Sequence, residues 1–230
     1  KNLKIIVNAH VQKLNFNNKS VESVSFFTGD KLNHTKANKE FILSAGAIGS
    51  PHLLQISGIG DSEKIKNQGI DIVHELKGVG KNLQDHLMFR PVYKLKNIKS
   101  LNRDVESLYS KFLMGLQYIL KQSGPITMGA SQVCAFTKSD PSRATPNLQF
   151  HVQPLSTDIL GVTPMHNFEG ITPTVANISP SSRGEINITS NDSRDNPKIK
   201  MNYLSTEDDR IVAAKSLKLV RKIMLETETF

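Results

Sequence analysis

GAIGSPHLLQISGIG, residues 46–60, follows directly on the apolar run Phe41-Ile42-Leu43-Ser44-Ala45. The run is short and partly β-branched, as a buried strand is, and Ala45-Gly46-Ala47 after it carries almost no side chain. Backbone there is open to close approach by a flat ligand. Ser50 has the chemistry of an N-cap, Pro51 suits the first helical position, and Leu53, Leu54 and Ile56 supply an apolar face. Gly58 suits the left-handed position that closes a helix. The stretch therefore predicts a buried strand, a tight turn and about two turns of helix beginning at Ser50.

Upstream, residues 3–7, 10–16 and 21–28 alternate apolar and polar side chains at strand period, which predicts a small antiparallel sheet followed by a polar loop over 29–38. Downstream, Asp61 and Gly69 bracket a short helix, and residues 71–74 predict a short strand. Residues 103–122 place Val105, Leu108, Phe112, Leu116 and Ile119 at helical spacing, and Gly124-Pro125 stops them. Runs at 132–137, 148–153, 174–178 and 185–189 predict an antiparallel sheet covered by helices on one face. A last helix begins at Ser205 or Thr206, with Asp208 and Asp209 in its first turn and a stripe of Ile211, Val212, Leu217, Val220, Ile223 and Met224. The chain opens on Lys1 and runs at once into strand-like residues, and no glycine or proline closes the final helix. It reads as a middle piece of a longer polypeptide.

Residues 46–60 closely resemble the second signature of the glucose-methanol-choline (GMC) family of flavin-dependent oxidoreductases. Gly46, Ala47, Ser50, Pro51, Leu53, Leu54, Ser57, Gly58, Ile59 and Gly60 are of the expected types. Gly78-Val79-Gly80-Lys81-Asn82-Leu83-Gln84-Asp85-His86 resembles the family's GVGxNLQDH loop. Pro180-Ser181-Ser182-Arg183-Gly184-Glu185-Ile186 and Pro197-Lys198-Ile199-Lys200-Met201-Asn202-Tyr203-Leu204 resemble the SRGxI and PxIxxNYL segments of its C-terminal region. The landmarks come in the family's order, and their wording is similar to the insect glucose dehydrogenase-like branch.

The resemblance implies an α/β plus α+β architecture. The late half of an FAD-binding Rossmann-like domain would occupy residues 1–90, and an antiparallel-sheet substrate domain residues 91–230, with the family's C-terminal region starting near residue 175. It implies FAD as cofactor, hydride transfer to the flavin from the CH–OH group of an alcohol or sugar, and a quinone or oxygen as electron acceptor. Val11 resembles the position whose backbone pairs with the adenine. Ala45 and Gly46 would let the adenosine end of FAD lie against the chain, and the antiparallel sheet would wall the substrate cavity. Two family features have no counterpart here. Neither Gly58-Ile59-Gly60 nor Gly78-Val79-Gly80 continues to the third glycine of a GxGxxG phosphate loop, and no histidine is followed by proline as in the family's HPxGT-like stretch. The resemblance thus puts the catalytic histidine beyond Phe230 and implies that these 230 residues alone hold FAD weakly and are inactive. A non-catalytic binding module derived from such an enzyme, or a lyase of the same fold, are the rival readings.

The remaining composition narrows the field further. A net charge of +8 invites a nucleic-acid reading, but the lysines are scattered singly and form no basic cluster interleaved with aromatics. No apolar run approaches the roughly 20 residues of a membrane span. The lone Cys134, in Val133-Cys134-Ala135-Phe136, has no partner for an intrachain disulfide and predicts a buried small side chain. The seven histidines lack H-x₃-H spacing or a cysteine partner, so no metal site is expected. Ser57 does not sit in a G-x-S-x-G elbow. Asn82, Asp85 and His86 read as a loop-locking hydrogen-bond network rather than as a base with its orienting carboxylate. His151, alternating with Gln149 and Gln153, is a candidate for the substrate cavity, although a solvent-facing histidine is the plainer reading. Five N-x-S/T sequons, at Asn18, Asn33, Asn177, Asn187 and Asn191, lean faintly toward a secreted protein.

Overall fold

A computed structural model describes residues 2–129, 131–159 and 161–226. Contacts divide the chain into two units, residues 1–84 with 182–203 and residues 85–181 with 204–230. Residues 182–203, kept with 91–230 in the sequence reading, group with the first unit.

In the first unit, β1 (Ala9–Asn17), β2 (Ser20–Thr28) and β3 (Lys31–Thr35) form an antiparallel sheet in sequence order. Two-residue connections join them, and Asn18 and Gly29 take the positive φ such hairpin turns demand, 53° and 58°. The expected strand at 3–7 does not form: Leu3, Ile5 and Val7 are exposed, and Asn8 turns at φ 52° before β1. The third strand comes instead from the expected loop. Its polar sequence hid it, because the ladder to β2 and two side-chain bonds hold it, Ser25 Oγ to His34 Nδ1 at 3.0 Å and Asn33 Nδ2 to Thr28 Oγ1 at 2.8 Å.

Residues 41–45 are not a strand either. No described strand pairs with them, Ile42 is 81% exposed, and an extended segment without a ladder gains little from being a strand. Helix α1 (Gly46–Ile56) starts four residues before Ser50, so Ser50 is not its cap and Pro51 lies inside it. The Ser50 hydroxyl instead accepts the Ala45 N–H at 3.0 Å. The other end is as expected: Gly58 takes φ 86°, donates to Gln55 O at 3.0 Å, and a Cβ on it would sit 2.4 Å from Asp71 O. Next, β4 (Ile59–Gly60) pairs in parallel with β5 (His74–Glu75) across helix α2 (Ser62–Lys66). Asp61 caps α2 by accepting the Glu63 and Lys64 N–H groups.

The second unit holds β6 (Met88–Phe89), β7 (Tyr93–Lys94), α3 (Leu101–Glu106), α4 (Leu108–Lys121), β8 (Val133–Thr137), β9 (Leu148–Gln153) and β10 (Gly170–Asn177). The sheet runs β6-β10-β9-β8, with β7 also on β10, and every pairing is antiparallel. The single helix expected over 103–122 is two helices. Ser107 is extended at ψ 123° and caps α4 by accepting the Ser110 N–H at 3.2 Å.

Strands β11 (Glu185–Asn187) and β12 (Lys198–Lys200) pair antiparallel within the first unit, not in the larger sheet. Ile188, just past β11, completes a core with Ile56 and Ile65. Helix α5 (Glu207–Glu226) then covers one face of the second unit's sheet. Val212, Val220 and Met224 pack on Leu148, Phe150, Ile171 and Val175. Asp209 is buried in the first turn of α5, where it accepts the Ser181 N–H at 2.9 Å. The stripe is narrower than expected, and Ile211, Leu217 and Ile223 stay exposed.

Candidate functional site

The first turn of α1 is bare. Ala45, Gly46 and Ala47 are exposed, Gly46 takes φ 77°, and a Cβ built on it would meet no atom within 4 Å. Among the described residues no side chain caps this helix end, and no acidic residue sits in its first turn. Its leading N–H groups therefore remain available to an acceptor from outside.

Beside that turn the structure gathers three of the sequence landmarks. Ala47 and Pro51 of α1, the 80–84 loop and Ile186 of β11 line an open cavity of about 310 Å³. The loop is stitched to the 180–186 segment by Leu83 N–H to Gly184 O at 3.0 Å and by Gly184 N–H to Leu83 O at 2.8 Å. Gly184 has to be glycine, since a Cβ there would lie 2.3 Å from Lys200 O. Asn82, at φ 61°, accepts from Arg183 Nε at 2.9 Å. Behind the cavity, the buried Gln55 reads both sides of the next strand: its Nε2 donates to Ile186 O and its Oε1 accepts from Ile188 N, each at 2.9 Å.

Val11 stands on β1, the outer strand of its sheet, next to a register shift that lies between Val11 and Lys13. β1 packs along α1: Leu14 N–H donates to Ser57 Oγ at 2.9 Å, and Ser57 in turn donates to Leu53 O. His10 Nε2 lies 3.0 Å from both the carbonyl oxygen and the hydroxyl of Ser193. Burial, and then the charge of His10, hold the His52 imidazole below its ordinary pKa. Val11 does not line the cavity that Ala47 borders. Sequence reading passed over Gln55, and its only signal was an amide at a position where the helix period calls for an apolar residue.

In the second unit, His86 is exposed. His151 lies on the face of β9 turned away from the α5 core, half-buried, opposite Cys134 on β8 and Thr174 on β10. Cys134 is exposed, against expectation, because β8 is the outer strand of its sheet and none of its five residues is buried. The Thr174 hydroxyl on β10 is buried and has no hydrogen-bond partner among the described residues. No group of three His, Cys, Asp or Glu among the described residues could hold a metal ion, and no described helix is long and apolar enough to cross a membrane.

Below the cavity, Glu185 pairs with Lys81 and, at 3.4 Å, with Lys64. The Lys81 hydrogen bond, with Lys64 adding to it, holds the Glu185 carboxyl down to about 2. A carboxyl depressed by folding stabilises above its unfolded pKa, about 4.3, and loses that contribution as the pH falls toward its folded value. Denaturant melts of the full-length protein from about pH 6 to about pH 2 should show a loss that Glu185→Gln lacks, at most ~1 kcal/mol because the pair is partly solvated. Identical pH profiles for the two proteins would rule the clamp out.

Two models of the GMC oxidoreductase family match, over residues 1–88 and 180–229, and the chain belongs to that family. It is 38% identical to an oxygen-dependent choline dehydrogenase of Staphylococcus xylosus over 97% of this chain and 40% of that protein. A protein of the same description from Photobacterium profundum is 36% identical over 98% of this chain and 39% of its own length. The chain thus spans about two fifths of the length of the curated relatives it matches. A solved structure of Aspergillus oryzae formate oxidase superposes with a TM-score of 0.87 at 21% identity, over 96% of this chain and 43% of the other, which shows a shared fold.

Proposed function

We propose that this chain is the central part of an FAD-dependent oxidoreductase acting on the CH–OH group of an alcohol or sugar. The observation that carries the reading is the bare first turn of α1, where Gly46 at positive φ faces open space. FAD fits this place, because a planar group can lie against backbone without a side chain in the way while the uncapped N–H groups meet its acceptors. Ala45 and Gly46 are assigned to the adenosine end, and the main chain of Val11, on an outer strand, to the adenine. Residues 1–90, together with the 182–203 segment that groups with them, belong to the cofactor domain on this reading, and the rest of 91–230 to the substrate domain. FAD supplies the hydride acceptor, and this chain's part is to position it and to present one wall to the substrate. That wall is the β8-β9-β10 face bearing Gln149, His151 and Gln153. The proton of the hydroxyl is assigned to a histidine beyond Phe230, and the electrons to oxygen or a quinone.

On the finer scale, the wording of the motifs favours a sugar, in the manner of a glucose dehydrogenase. The names of the relatives favour choline. The test is the purified full-length protein, given glucose or choline without oxygen. Bound flavin whose oxidised absorbance bleaches with an alcohol is expected. A colourless protein, or a flavin that no alcohol reduces, would overturn the proposal, and bleaching by choline alone would move the substrate from sugars to amino alcohols.

A further inference from the structure

We infer that Arg90 sets the charge preference of the substrate wall, which takes an alcohol rich in oxygen acceptors, a sugar or sugar acid, and disfavours a quaternary ammonium alcohol. The inference rests on the reading of the β8-β9-β10 face as that wall. Arg90 stands between β6 and β7, which both pair with one edge of β10, while β9 pairs with the other edge. Its Nη2 nevertheless donates to Gln153 Oε1 on β9 at 3.2 Å. The side chain therefore crosses β10. Gln153 stands opposite Thr172, and His151 opposite Thr174, so the crossing lies on the face that these four share.

The half-buried guanidinium is aimed by a fixed partner. Gln153 is buried, and its Nε2 donates to Ser131 Oγ at 3.4 Å, which leaves Oε1 for Arg90. That bond uses one N–H of the arginine fork, and among the described residues no other acceptor for Arg90 is found. The buried Thr174 hydroxyl on the same face is also unspent. Charge then selects the ligand. None of the strands β6 to β10 contains Asp or Glu. Glu169, which precedes β10, is taken up by the Ser100 N–H and hydroxyl, each at 2.7 Å, and by Arg103 at 3.6 Å. A guanidinium is always charged, and with no carboxylate on its own sheet it repels an ammonium group and offers its donors to hydroxyl or carboxylate oxygens. At an effective dielectric constant of about 40, a cation held about 7 Å from it binds about 10-fold more weakly than a neutral group of the same shape.

Anaerobic bleaching of the full-length holoenzyme tests this, with kcat/KM measured for choline, its uncharged tert-butyl analogue, glucose and gluconate. The parent should take the tert-butyl analogue about 10-fold better than choline, a ratio that reads charge at constant shape. Arg90→Gln should bring the ratio close to one, and Arg90→Lys, which keeps the charge, should preserve it. Gln153→Glu places a carboxylate against the guanidinium and should erase the ratio too, whether or not Arg90→Gln folds. Arg90→Gln should also lower kcat/KM for the better of glucose and gluconate, and which of them that is tells whether a hydroxyl or a carboxylate meets Arg90. A parent that takes choline as readily as the analogue, or a ratio that survives both Arg90→Gln and Gln153→Glu, overturns the inference and leaves the oxidoreductase standing. A flavin that none of the four bleaches overturns the oxidoreductase reading, and this inference with it.

Discussion

Gly80→Ala is expected to destabilise the protein by ~3 kcal/mol or more, read as a fall in the denaturant midpoint, whereas Gly78→Ala two residues earlier should change it by less than ~0.5 kcal/mol. The two glycines share one loop and differ in what surrounds them. Gly80 sits at φ 79°, and a Cβ on it would lie 2.2 Å from Ile186 O and 2.3 Å from Gln55 Nε2. A left-handed alanine alone costs on the order of 1–3 kcal/mol. The clash adds more, because it lands on backbone and on the amide that donates to that same carbonyl. Ile186 N–H also donates to Gly80 O at 2.7 Å, so the methyl group pushes apart a contact made from both sides. Leaving buried polar groups unpaired costs roughly 1–3 kcal/mol each. At Gly78 a Cβ would meet nothing within 4 Å. Equal midpoints for the two variants would sink the argument.

Asn102→Asp should cost a similar ~3 kcal/mol at neutral pH, with less loss in acid. Asn102 is fully buried at the second position of α3 and ties down the connection between β9 and β10. Its Nδ2 lies 2.8 Å from Ser156 Oγ, 2.8 Å from Phe168 O and 3.0 Å from His166 O, and its Oδ1 accepts the Ser156 N–H at 2.8 Å. Aspartate keeps the shape and the acceptor but turns the donor into a second acceptor facing carbonyl oxygens. The buried carboxylate would have a raised pKa, so its charge penalty is absent well below the unfolded value of about 3.9 and grows as the pH rises. Unfolding measured at about pH 7 and about pH 4 should show the gap to the parent shrinking in acid. An Asn102→Asp protein as stable as the parent at neutral pH would show that the donor contributes nothing.

Both positions depend on distant partners that a local pattern does not carry. Element ends written in local chemistry were legible: Gly58 after α1, Asp61 before α2, and Gly124 beyond α4. Features decided by distant partners were not. Gln55 meets the carbonyl of a residue 131 positions away, and nothing in a helical period announces that. The strand expected at 41–45 had the right composition but no described neighbour to pair with. β3 had the wrong composition and formed because β2 supplied the ladder. Pro51 suggested a helix start, and α1 carries it in its interior. At the candidate site, the small side chains of Ala45 and Gly46 pointed to open backbone, which the first turn of α1 presents. The cavity beside it needed the 78–86 loop and the 180–186 segment to come together, and periodicity does not carry that.

The interleaving of the two units sets a timetable for a growing chain. Gln55 and Gly80 leave the ribosome long before Ile186, at translation speeds of roughly 5–20 residues per second. For an interval on the order of ten seconds the amide of Gln55 and the groove that will receive β11 have no partner, while the whole β6–β10 sheet is being made. That sheet in turn waits for Val212 and Val220 of α5 to cover it. A ribosome that pauses between residues 181 and 186 therefore holds a nascent chain in which neither hydrophobic core is closed, and the window in which chaperones are needed opens there.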